Sequence, residues 1–213
     1  MEYQVWLADP PWPFDVWGKN TGSSSAAETH YPTMTVEEIC DLPVQQYMAK
    51  DAVLFLWVVS PSLLDYPKRV LDAWGFTYKT LAWPWIKLNT SGVGWHVGMG
   101  YYTRANTELC LLATKGRMPV ATRAEKALLI EYEDQLFGLP LLTPMGEHSE
   151  KPVEQYAKIE RLYPAAKYPN RIELFARKRR PVWHAWGNEV ISDIVLNPID
   201  TKREEGIADG HSS

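Results

Sequence analysis

The sequence predicts an α/β fold, a mainly parallel, twisted sheet with flanking helices. Three observations predict it. Apolar-rich runs at residues 5–8, 52–59 and 107–114 are short and bounded by turn signals, the pattern of strands buried in a sheet. Helix caps stand between successive strand-like runs, so strands and helices alternate. The first run ends in Asp9-Pro10-Pro11-Trp12, where two prolines forbid continuation as a central strand.

That first stretch, residues 3–14, reads YQVWLADPPWPF. The prolines fix the backbone, so Asp9 and the Pro10 carbonyl are held rigidly at the carboxyl end of the strand. In open α/β sheets ligands bind at that end. The corner offers a carboxylate and a carbonyl as neighbouring acceptors, and Trp12 adds a flat aromatic face. A primary amine on a flat ring fits this set, since its two N–H groups can donate while the ring stacks. Adenine is such a ring, and enzymes that modify bases hold a flipped base in this way. The four residues alone also admit a Pro-Pro turn with Asp9 capping a helix and Trp12 in the core.

Residues 18–29 form a small, polar stretch expected to be mobile. Thr35 and Glu38 make a capping box that opens a helix ending before Pro43. After the strand at 52–59, Ser60 and Pro61 read as N-cap and first position of a helix that runs to Trp74 and stops at Gly75. Residues 78–88 are a third strand in which Pro84 demands an edge or a bulge. Residues 89–102 hold four glycines, yet no Gly-Lys-Ser/Thr follows, so this is not a phosphate-binding loop. It reads as a substrate loop carrying Trp95 and His96, the latter an exposed loop histidine. Residues 107–114 are a strand. The charged stretch 123–134 is expected to touch substrate in part. A helix runs from Pro152 to about Tyr163, and residues 171–177 are a strand. The basic cluster Lys178-Arg179-Arg180 is either a solvated turn or a contact for a carboxylate or phosphate. Residues 1–196 thus read as one domain and 197–213 as a disordered polar tail.

Composition narrows the function classes. At 213 residues with 46% apolar side chains, the chain suits a single domain with a sizeable core. A net charge of -4 argues against a broad basic field for unspecific nucleic-acid binding, while leaving room for a local basic patch. Ten tryptophans and eleven tyrosines are unusual; some must be core, but such residues also make base-stacking surfaces. Cys40 and Cys110 are too few for a disulfide framework, so a reducing, intracellular (cytoplasmic) setting is expected. No Cys/His cluster has metal-ligand spacing, so no metal is expected. No signal peptide and no membrane-spanning run is seen.

DPPW at residues 9–12 resembles the motif of the adenine-N6 methyltransferase family that includes the eukaryotic mRNA adenosine methyltransferase and bacterial and phage DNA-methylating relatives. Further segments resemble that family in the same order. His30-Tyr31-Pro32-Thr33-Met34 is similar to its substrate gate, and LFLWV at 54–58 and WIK at 85–87 to its next two strands. EHSEKP at 147–152 is similar to its HSRKP segment, and RIELFAR at 171–177 and WGNE at 186–189 complete the set.

The resemblance implies a Rossmann-like class I methyltransferase fold with S-adenosyl-L-methionine as methyl donor. It implies catalysis at Asp9, Pro10, Pro11 and Trp12, with the cofactor held by Ala8, Asp9, Phe175, Arg177, Asn188 and Glu189. It also implies substrate contacts at His30, Tyr31, Trp57, Trp85 and Lys87. The chemistry suits such an assignment. The exocyclic amine of adenine is a poor nucleophile because its lone pair is delocalised. Acceptors at Asp9 and Pro10 would favour a less delocalised nitrogen and stabilise the charge that develops on it. The remaining task is alignment of nitrogen and methyl group.

Two departures from the family matter, and two further positions differ from its common residues. Only eight residues precede Asp9, where the family has a longer segment that helps hold the cofactor adenine, so that contact is expected elsewhere or weak. The family lysine for the cofactor carboxylate aligns with Thr107, leaving Arg104 or Lys151 as substitutes. Glu189 stands where glutamine is common, and Glu150 where arginine is common. DNA is the preferred substrate because the chain is compact and shows no added RNA-binding module. RNA, a catalytically silent scaffold, and a nucleoside-binding module without methyl transfer are the alternatives. The expected assembly is a monomer or homodimer, with or without an accessory subunit.

Overall fold

A computed structural model describes residues 1–13, 33–59, 63–89, 94–98, 102–127, 141–144 and 151–197. The strands are β1 (Tyr3–Ala8), β2 (Met48–Val58), β3 (Thr77–Leu88), β4 (Thr107–Lys115), β5 (Leu141–Pro144), β6 (Arg171–Leu174) and β7 (His184–Trp186). The helices are α1 (Val36–Cys40), α2 (Tyr66–Trp74) and α3 (Glu154–Leu162). The strands form one seven-stranded sheet in the order β5-β3-β4-β2-β1-β6-β7. Strand β4 is antiparallel to both its neighbours, and every other pairing is parallel. Alternation of strands and helices alone would set β3 beside β2. Instead β4 returns from β3 as an antiparallel partner, with no helix among the described residues between them, and slots between β3 and β2.

Period-two alternation divides the core. Trp6 and Ala8 of β1, with Leu54 and Leu56 of β2, pack on the side of α1 and α2 against Ile39, Val70 and Trp74. Val5 and Leu7, with Val53, Phe55 and Trp57, face the opposite side and pack with Ile159 of α3. The even–odd rule carries Asp9 onto the α3 side as the chain leaves β1.

The Thr35 hydroxyl accepts from the Glu38 N–H at 3.1 Å, and the Glu38 carboxylate accepts from the Thr35 N–H at 2.7 Å, closing the expected capping box. Helix α2 stops at Gly75, whose φ of 76° is left-handed. It begins at Tyr66, later than expected, with Pro67 in its first turn; Ser60 and Pro61 lie outside the described residues. Pro84 follows an irregularity between Leu81 and Trp83 and precedes by one residue the pairing of β5 with Trp85. Strand β6 ends at Leu174 rather than 177 because Phe175 turns to a φ of 60°. At the far end Ile194 and Leu196 are buried in the core, and the expected tail lies outside the described residues from 198 on.

Candidate active site at the carboxyl edge of the sheet

From β1 the chain moves first to β2 on one side and returns later to β6 on the other. That reversal makes the end of β1 a topological switch point, where open α/β sheets leave a crevice for ligands. The crevice is a cavity of about 360 Å³. Its walls come from the ends of β1, β2, β6 and β7, with Asp9, Trp57, Phe175 and Trp186 among them, and from the start of α3.

The corner itself is tightly braced. The Trp12 N–H donates to the Pro10 carbonyl at 2.8 Å, and the Met34 N–H donates to the Pro11 carbonyl at 2.9 Å. The Trp12 indole N–H donates to the Trp57 carbonyl at 2.9 Å, and only 3% of Trp12 is exposed. Trp12 therefore both locks β1 to β2 and lends part of its surface to the cavity. The Pro10 carbonyl, expected to be an acceptor, already takes one hydrogen bond; a carbonyl has a second lone pair for another.

A line of alternating charges crosses the floor on the α3 side. The Lys151 ammonium lies 2.6 Å from Asp9 Oδ2 and 3.0 Å from Glu108 Oε2, and Lys87 pairs with the other oxygen of Glu108. Lys151 also stands 5.5 Å from the Trp57 ring centroid, and Lys87 5.0 Å from that of Trp85. Burial pushes the Asp9 carboxyl above its ordinary pKa; Lys151 opposes this and Glu108 adds to it. Burial also pushes Glu108 up, but Lys151 and Lys87 outweigh it and hold its carboxyl below the ordinary value. For Lys151, burial pulls down while the two carboxylates pull harder upward, so it stays charged at any physiological pH. With Oδ2 of Asp9 taken by Lys151, Oδ1 is the oxygen left to accept from a ligand.

Around the cavity from Asp9 lie Phe175, Arg177, Asn188 and Glu189. Phe175 meets Trp186 edge-on, ring centroids 5.3 Å apart. The Ala176 N–H donates to the Trp186 carbonyl at 2.9 Å. Gly187 is required there, since a Cβ would lie 2.3 Å from the Ala176 carbonyl oxygen. This close approach carries Asn188 and Glu189 to the cavity mouth, where Glu189 reaches Arg177 at 3.5 Å. Lys178 and Arg180 also line the cavity, whereas Arg179 turns away to Asp193 at 2.9 Å.

Several expected site residues sit elsewhere. Ala8 is fully buried between Leu56 and Leu174 and does not line the cavity; its part is to aim Asp9. Trp85 is fully buried, edge-on to Trp57 at 6.2 Å, and Lys87 is engaged by Glu108; neither lines the cavity. His30 and Tyr31 lie outside the described residues, though the gate segment re-emerges at Thr33 and Met34 in the cavity wall. Of the two substitutes for the family lysine, Lys151 is at the site, whereas Arg104 is exposed and lines no part of this cavity. Glu125, in the charged stretch 123–134, clamps Lys158 and Arg161 of α3 at 2.8 and 2.6 Å, a brace for the helix. Sequence reasoning missed Glu108 and the Tyr156–Glu173 pair, a 2.8 Å hydrogen bond beside the cavity. The signal for Glu108 was a carboxylate at a position of β4 whose neighbour two along, Cys110, is core.

A carboxylate at the switch point of an open α/β sheet, in one cavity with an amide, a second carboxylate and cations, is the arrangement of a ligand-binding crevice of the α/β class. The MT-A70 family matches residues 3–189, and the chain belongs to that family of methyltransferases. It is 30% identical to the type II methyltransferase M.MunI of a Mycoplasma species over 220 residues, covering 96% of this chain and 84% of that protein. It is 28% identical to the human N(6)-adenosine-methyltransferase catalytic subunit METTL3, over 92% of this chain but 30% of that protein. Mouse METTL4, an N(6)-adenine-specific methyltransferase, is 25% identical over 87% of this chain and 37% of its own length. The chain thus spans well under half of these two mammalian relatives.

Proposed function

We propose that this protein transfers a methyl group from S-adenosyl-L-methionine to the exocyclic N6 amine of adenine, with DNA as the preferred nucleic acid. The observation that carries the reading is Asp9, at the switch point with one oxygen held by Lys151, in one cavity with Arg177, Asn188 and Glu189. DNA is favoured because 96% of this chain matches 84% of the type II methyltransferase, at 30% identity.

The donor set fits the cofactor. Asn188 and Glu189 suit the hydroxyls of a ribose, Phe175 offers an aromatic face, and Lys178 or Arg180 suits a carboxylate. When bound, the cofactor supplies an activated methyl group, so the protein needs no covalent nucleophile. Asp9 accepts one amine hydrogen and Pro10 the other, which orients the nitrogen lone pair out of the ring plane and stabilises the positive charge it acquires. Trp12 and Trp57 wall the base, and Lys151 fixes the Asp9 carboxylate so that it need not reorient during reaction.

The test is single-turnover methyl incorporation into matched DNA and RNA oligonucleotides by wild type, Asp9→Asn and Asp9→Ala at saturating cofactor. Asp9→Ala should fall at least ~100-fold, the scale of losing one preorganised polar contact at the reacting atom. Asp9→Asn keeps a carbonyl oxygen and should retain part of the rate. Near wild-type turnover by Asp9→Ala would sink the assignment, and faster methylation of RNA than DNA would reverse the substrate preference.

A further inference from the structure

Among the described residues, none of the segment that follows β3 lines the cavity, yet its surface is unusual. Trp95 is 55% exposed and Val97 68%, and they stand two residues apart with the more buried His96 between them. Tyr102 is fully exposed. Large aromatic side chains left in water call for a partner.

The stretch is preformed. The His96 N–H donates to the Lys87 carbonyl at 2.9 Å, and the Gly98 N–H to the Ala105 carbonyl at 2.9 Å. Gly98 is pressed so close that a Cβ would lie 2.3 Å from that same oxygen. The charge is one-sided as well. In a chain of net charge -4, residues 88–107 contain no Asp or Glu, and Arg104 is exposed without an ion pair to any described residue. The stretch lies at the same edge of the sheet as Asp9, three strand steps along through β2 and β4. At about 4.8 Å per step that is roughly 14 Å, or about four base steps of a duplex at ~3.4 Å each.

We propose that Trp95, Val97 and Tyr102 form a ledge on which nucleotides flanking the target adenine pack, with Arg104 meeting the phosphate backbone. The inference rests on the nucleic-acid substrate of the preceding reading. A polyanion with exposed π-faces is the partner that an acid-free, aromatic, singly cationic surface beside the active cavity recognises.

The experiment measures binding of a fluorescein-labelled DNA oligonucleotide to the full chain by anisotropy, with sedimentation velocity on the same samples. Trp95→Ala should weaken binding roughly 5- to 100-fold, the range for losing one stacked base, and Trp95→Phe should recover most of it. Arg104→Ala should reduce the salt slope by about one counterion. Cofactor affinity by calorimetry should be unchanged in all three. Equal oligonucleotide affinity for Trp95→Ala and wild type overturns the ledge, as does a wild-type dimer that Trp95→Ala dissolves, since the face is then covered by a second copy. Wild-type methylation of the same oligonucleotide, scored separately, tests the underlying reading: turnover with an unaltered Trp95→Ala affinity sinks the ledge alone.

Discussion

Replacing Lys151 with methionine asks how far the Asp9 carboxylate depends on its cation. Methionine keeps much of the apolar stem and removes the charge. In the structure the ammonium sits between two carboxylates, 2.6 Å from Asp9 and 3.0 Å from Glu108. Removing one partner of a buried ion pair costs about 3–5 kcal/mol, because the other charge is left unpaired. Two features reduce the cost here. The Asp9 side chain is 34% exposed, so water screens it, and Glu108 keeps Lys87. We expect a loss of about 2–3 kcal/mol, which for a domain of this size lowers Tm by roughly 4–12 °C.

The same variant has a pH signature. Burial and Glu108 raise the Asp9 pKa and Lys151 opposes them, so its removal raises the pKa further. A carboxyl with a raised folded-state pKa disfavours folding once it ionises. That penalty is absent below the ordinary aspartate pKa and complete above the folded one. Lys151→Met should therefore differ most from wild type near neutral pH and recover toward acid. Because the ionised carboxylate is the proposed acceptor, the acid limb of the methyl-transfer rate should move to higher pH. Thermal unfolding by circular dichroism across pH 4–8, with single-turnover rates over the same range, checks both. An unchanged Tm together with an unmoved acid limb would refute the account of Lys151 as the group that keeps Asp9 in place and ionised.

Two other substitutions separate the ends of the cavity. Asn188→Ala, at an exposed position on the cavity wall, should weaken cofactor binding about 2- to 10-fold, the scale of one solvent-reachable hydrogen bond, with oligonucleotide affinity unaltered; calorimetry with S-adenosyl-L-methionine reads it directly. Trp12→Phe deletes the buried hydrogen bond to the Trp57 carbonyl while keeping a ring, so it should cost about 1–3 kcal/mol in urea unfolding as well as slowing turnover. Full stability in that variant would show that the bond does not fix the corner.

The fold was legible where a single residue type forces a local outcome. Thr35 with Glu38, Gly75 after Trp74, and the Pro10-Pro11 stop each act within a few residues of themselves, and each stands where expected. The insertion of β4 between β2 and β3 was not legible, because strand order depends on which edges meet at long range, and an apolar strand such as residues 107–114 suits either neighbour. The site divides in the same way. Asp9 and the stretch from Phe175 to Glu189 could be paired as one cavity because the resemblance ties them together. Ala8, Trp85 and Lys87 could not be sorted, since a residue next to a site residue and one lining the site look alike until the pleat decides which way each points.

Of the two readings first open for DPPW, the core position of Trp12 is seen, and it is compatible with the ligand role proposed for Asp9. A core role for Trp12 and a ligand role for Asp9 looked like rivals, yet one requires the other here. Pro10 and Pro11 fix their own φ angles but carry no N–H, so they cannot tie the corner to its surroundings by donating hydrogen bonds. The Trp12 indole bond to Trp57, its N–H bond to Pro10 and the Met34 bond to Pro11 supply the fixation instead. Lys151, reaching in ahead of α3, sets the carboxylate itself. A carboxylate at a strand end becomes a directed acceptor only when its neighbours are anchored this firmly, and the buried face of Trp12 is part of what anchors it.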